Sequence, residues 1–85
     1  MAKSLEKVGE VSHYFTKIGV AVIELTGKVK VGDSIAVKGM TTNFEQKVES
    51  MQLDKENIEK GEPGQLIGVV VQEKARSGDK VYKME

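Results

Sequence analysis

The only histidine, His13, is the first residue on which acid–base chemistry could rest. A general base needs a partner that orients it and a proton within hydrogen-bond reach. Alternation along a strand puts His13 on one face with Val11 and Phe15, and Glu10 and Ser12 on the other. No Ser–His–acid set is therefore assembled locally. The chain has no cysteine, which excludes thiolate nucleophiles, cysteine zinc sites and disulfides. Two Gly–Asp steps recur, Val31-Gly32-Asp33 before SIAV and Ser77-Gly78-Asp79 before KVYK. Glycine supplies the positive φ of a tight turn, and an Asp carboxylate accepts from nearby backbone N–H groups. Asp33 and Asp79 thus read as turn formers and not as metal ligands. The segment Met40-Thr41-Thr42-Asn43-Phe44 offers hydroxyls to an anion, but a turn whose side chains satisfy its own backbone accounts for it better. Thr26-Gly27-Lys28-Val29 does not complete a phosphate-binding loop, G-x-x-x-x-G-K-[ST]. GTP hydrolysis is excluded, and neither a catalytic residue nor a cofactor or metal site is expected.

Charge and aromatic content narrow the binding classes. Thirteen Lys and Arg balance thirteen Asp and Glu, giving a net charge of zero over 85 residues. Autonomous nucleic-acid binders draw much of their affinity from a basic excess, so strong independent RNA binding is not expected. Tyr14, Phe15, Phe44 and Tyr82 are the only aromatics. Being adjacent, Tyr14 and Phe15 point to opposite faces, one into the core and the other free to stack or dock. Lys17, Lys28, Lys30 and Lys38 read as a solvated rim around the loops at one end of the molecule.

The elements that position these residues are short strands between turn signals. Six are expected: 7–15, 20–25, 34–38, 44–53, 65–71 and 80–84. The polar stretch 54–64 separates the fourth from the fifth. This pattern predicts a single all-β domain over residues 1–85, a six-stranded antiparallel Greek-key β-barrel with its core within about 7–84. In VAVIEL and QLIGVVV both faces are apolar, whereas a half-exposed antiparallel strand shows a polar face. Something must cover the second face. The candidates are the 54–64 excursion anchored by Ile58, the residues around Leu5, or a partner, including a second copy. The expected partner surface comprises Val20, Val22, Tyr14, Lys17 and Lys38. The opening stretch MAKSLEKVGE has no apolar core of a secretory signal, and no run is long enough to cross a bilayer. A cytoplasmic protein without membrane contact is expected.

Gly27 to Ile35, then Val48-Glu49-Ser50-Met51, Ile58, Glu59, Pro63, Gly64, Ile67 and Gly68, resemble in order and spacing the second domain of translational GTPases of the elongation factor Tu type. The closing Arg76 to Val81 resembles that family's last Gly-Asp-hydrophobic step. A residue matching the acidic one that shapes the aminoacyl pocket there is Gln52, a departure from the pattern. The segments VGEVSHYF, TTNFEQKVESMQ and SGDKVYK are similar to the small C-terminal barrel of collagenase-like peptidases. The first resemblance implies a non-enzymatic accessory module contacting tRNA, the ribosome or translation-related proteins. The second implies a protein-interaction module that docks on a collagenase-like peptidase.

Overall fold

The computed structural model describes residues 5–84, all in strands, turns and loops. Ten strands follow in chain order: β1 Leu5–Phe15, β2 Val20–Leu25, β3 Val29–Lys30, β4 Ser34–Lys38, β5 Asn43–Lys47, β6 Met51–Leu53, β7 Glu56–Ile58, β8 Lys60–Gly61, β9 Leu66–Val70 and β10 Lys80–Met84. Eight form one antiparallel sheet in the order β5-β4-β10-β1-β2-β9-β6-β7, and β3 pairs with β8 in a two-stranded sheet. The all-β, antiparallel expectation is met. The six-stranded closed barrel is replaced by this open ladder of eight strands and a separate pair. The predicted strand 44–53 divides at Val48, which is buried, and the polar excursion 54–64 carries β7 and β8.

Across the gap between the sheet's β5 edge and the end of β9 reaches one side chain. Gln46 Nε2 donates to the Val70 carbonyl at 2.9 Å, and the Gln72 N–H donates to Gln46 Oε1 at 2.7 Å. The curl encloses a core built from Val8, Val11, Ile23, Leu25, Ile35, Val37, Met51, Ile67, Val69 and Val81, each at most 2% exposed. Ile23 and Leu25 of β2, and Ile67 and Val69 of β9, alternate along their strands, so each of these strands gives one face to the interior.

Three turns launch β4, β9 and β10 by one device. In Lys30–Asp33, Glu62–Gln65 and Arg76–Asp79 the third residue is a glycine with φ of 99°, 90° and 96°. The fourth residue's N–H donates to the first residue's carbonyl at 3.1, 3.2 and 3.0 Å. The first residue's N–H donates to the fourth residue's side chain, Asp33 Oδ2, Gln65 Oε1 or Asp79 Oδ2, at 3.0, 2.8 and 2.8 Å. The glycine N–H and the fourth residue's carbonyl then clasp one buried residue each: Val48, Leu25 and Val11. A left-handed third position of this kind requires glycine in a type II turn. Both Asp residues are therefore structural, as their Gly–Asp spacing indicates. The third copy escapes a Gly–Asp search because Gln65 supplies the acceptor.

The 11-residue β1 pairs with β10 along its first half and with β2 along its second, with register shifts at Val8 and at Ser12. The second bulge changes the phase of side chains. Val11 lies opposite Ile23 and is buried, whereas His13 lies opposite Val22 and is exposed. Val11 and His13 thus do not share a face, contrary to simple alternation.

Candidate functional site: an uncovered apolar face

The bulge at Ser12 aims His13 and Phe15 outward, beside the outer residues of β2 and β9. Phe15 is opposite Val20, which is opposite Val70; His13 is opposite Val22, which is opposite Gly68; Glu24 is opposite Leu66. Leu66 is 52% exposed, Val70 56% and Phe15 45%, and Ile18 in the adjoining turn 66%. The His13 and Phe15 rings meet edge to face with centroids 4.5 Å apart. Gly68 contributes no side chain, so the patch dips beside Val22. A contiguous apolar surface of this kind marks a contact site more often than isolated exposed residues do.

Charged residues border the patch on one side. In register across four strands run Lys38 of β4, Lys80 of β10, Glu10 of β1 and Glu24 of β2. Lys80 Nζ donates to Glu10 Oε1 at 2.9 Å, and Lys7 Nζ lies 3.9 Å from the same oxygen. The Lys80 ammonium, by hydrogen bond and by charge, holds the Glu10 carboxyl below its ordinary value, and Lys7 adds to this. An apolar centre with a polar border is the layout of a docking interface.

Five residues were expected to form a partner surface, and the structure separates them. Val20 and Val22 stand in the middle of the patch. Lys17 lies in the β1–β2 turn beside Phe15 and Ile18. Lys38 is in the charged row, with its Nζ donating to Asn43 Oδ1 at 3.1 Å. Tyr14 is on the other side of the sheet, opposite Ala21 and packed against the core; its neighbour Phe15 takes the outer position. Among the described residues, neither candidate for self-cover lies over this face; of the stretch around Leu5, residues 1–4 lie outside the described residues. Ile58 packs against the core opposite Met51, not over β2, and Leu5 is exposed at the far end of β1, opposite Met84. Phe15, Leu66 and Val70 are the residues that sequence reasoning missed as parts of the site. The apolar two-faced pattern of QLIGVVV was the available signal for the last two; Phe15 had none apart from being adjacent to Tyr14.

The other candidate residues are engaged in local contacts. Ser12 lends its carbonyl to the Ser77 hydroxyl at 3.1 Å, and Gln52 donates to Asn57 Oδ1 at 3.1 Å within the β6–β7 hairpin. The Thr42 carbonyl accepts from Gly39 N–H at 2.7 Å, which closes the threonine turn on itself.

The solved C-terminal domain of a Geobacillus thermoleovorans protein assigned to the U32 peptidases superposes with a TM-score of 0.87 at 21% identity, covering 92% of this chain and 91% of that one. Its selenomethionine variant gives a TM-score of 0.85 at 20% identity, over 89% and 96%. The fold is that of a U32 peptidase C-terminal domain. In sequence the chain is 39% identical over 80 residues to a collagenase of Porphyromonas gingivalis, covering 92% of this chain and 22% of that protein. It is 36% identical over 80 residues to an uncharacterized protease of Methanocaldococcus jannaschii, covering 93% of this chain and 20% of that one. The chain thus spans about a fifth of the length of the curated relatives it matches. No family model matches it. These relatives support the resemblance to collagenase-like peptidases and not the one to translational GTPases.

Proposed function

We propose that this chain is a non-catalytic accessory domain that docks on a collagenase-like peptidase through the outer face of β1, β2 and β9. The observation that carries the reading is the uncovered cluster of Phe15, Val20, Val22, Leu66 and Val70, in a chain whose sequence relatives are a collagenase and a protease far longer than itself. Apolar area of this kind gains free energy when water is removed from it. The charged row from Lys38 to Glu24 fixes register at its border while adding little affinity. A domain without cysteine suits a reducing compartment such as the cytoplasm. The peptidase relatives favour this docking role over contact with tRNA or the ribosome.

Co-purification of the chain with the peptidase domain of a collagenase-like enzyme from the same organism tests the reading. Val20→Asp and Val22→Asp each place a charge in the patch and are expected to abolish the complex while the isolated domain stays folded. Two folded variants that still co-purify as well as the parent would refute it.

A further inference from the structure

A second surface, away from the apolar face, gathers positive charge. The chain between β2 and β3, the β3–β8 pair and the end of β10 enclose a hollow of about 490 Å³ lined by Lys28, Lys30, Lys60 and Lys83, with Val29, Asp33 and Met84. Lys30 and Lys60 are direct cross-strand partners in a sheet of only two residue pairs, the other pair being Val29 and Gly61. Val29 and Gly61 are buried and the two lysines exposed, so both ammonium groups leave the same face. Like charges placed directly opposite one another destabilise a strand pair. Lys83 Nζ donates to the Lys28 carbonyl at 3.1 Å, which holds a third ammonium at the rim. The nearest acidic group in the lining, Asp33, already accepts the Lys30 backbone N–H at 3.0 Å. Among the described residues, no carboxylate is within 4.0 Å of these four ammonium groups. A molecule with zero net charge thus gathers four ammonium groups here without a carboxylate paired to any of them among the described residues.

The geometry points to an anion site: the Lys28–Lys30–Lys60–Lys83 hollow binds a phosphate-bearing anion of at least two charges, which replaces the repulsion between Lys30 and Lys60 with attraction to both. Lysine suits this role as a compact charge on a flexible stem with three donors. The site is independent of the proposed docking face, and neither depends on the other.

Titration of the ¹⁵N-labelled full chain at low salt with inorganic pyrophosphate, with tripolyphosphate and with a short single-stranded RNA tests the site. Saturable shifts are expected at the amides of residues 28–30, 60 and 83, and they weaken as salt is added. A Lys30→Gln, Lys60→Gln double variant should bind about tenfold more weakly, the loss of roughly one close charge contact per lysine in a screened setting. Lys83→Gln gives a second measure should the double variant unfold, and a Lys17→Gln, Lys38→Gln control should bind as the parent does. Saturation by tripolyphosphate assigns the site to free phosphates; saturation by the RNA alone assigns it to a polymer backbone, and either supports the proposal. Absence of saturable shifts with every probe, or equal binding by the parent, the double variant and Lys83→Gln, overturns it.

Discussion

At the residue scale, side chains that look chemical turn out to hold turns together. Asp79 is 5% exposed and its carboxylate takes the Arg76 N–H. Asp79→Ala leaves that donor without a partner in a buried place and should cost about 2 kcal/mol. Asp33→Ala should cost less, about 1 kcal/mol, because Asp33 is only half-buried and water can replace its carboxylate. Chemical denaturation of the two variants measures the difference. The β6–β7 hairpin holds a second prediction. Asp54 and Lys55 have φ of 56° and 69°, the left-handed pair of a two-residue turn that favours Asp-Gly. Lys55→Gly removes the Cβ strain at the second position and should stabilise by about 1 kcal/mol. Glu10 offers a pH test. Its depressed carboxyl contributes stability that is present above the ordinary value of 4.5 and is lost as pH falls through its lower value in the folded protein. In Lys80→Met, the Glu10 carboxyl followed by NMR should titrate closer to its ordinary value, and part of the acid-limb stability should vanish.

At the element scale, legibility followed how local the cause was. Strands 20–25, 34–38 and 80–84 stand where the sequence places them, because each has a turn glycine just before it, and in 20–25 the burial also alternates strictly. The break between β5 and β6 had no such mark: the chain turns at Val48–Ser50 without glycine or proline. Strands β3 and β8 have only two residues each, and each exists because the other is there. The phase change at Ser12 was equally silent. An extra residue in a strand leaves no signature in composition, yet it decides that Phe15 faces out and Tyr14 in. Deleting Ser12 removes the extra residue and keeps the pairs Val11–Ile23, His13–Val22 and Phe15–Val20, so His13 and Phe15 should stay outward and Tyr14 inward. A retained cooperative thermal transition is the expected result.

At the scale of the whole molecule, the chain divides its surface into an apolar face, a charged row and a lysine-lined hollow, while its core is filled from the other side of the same strands. The sequence announced the first of these through the two-faced strands VAVIEL and QLIGVVV, but not its outline, since Phe15 joins it only through the bulge and Tyr14 leaves it for the same reason. Of the hollow's lysines only Lys28 and Lys30 were read, as part of a solvated rim with Lys17 and Lys38, because Lys60 lies 30 positions from Lys30 and meets it only through the β3–β8 pairing. Exposed positions on the docking face should be replaceable at little cost to folding. Val70→Ser and Leu66→Ser are expected to shift stability by no more than about 0.5 kcal/mol while weakening the complex with the peptidase domain. Thermal melts beside the co-purification assay separate the two effects.

Gln46 brings one last consequence. Where the first and sixth strands of the ladder approach each other, a single carboxamide imitates a missing stretch of backbone, so the seam of the curled sheet is one side chain thick. The first breathing motion of the domain should therefore unzip there, and in a Gln46→Ala variant the Gln72 amide should exchange with solvent faster than any amide of β1 or β2. A fold wrapped around such a hinge line can widen on one side without disturbing its buried centre.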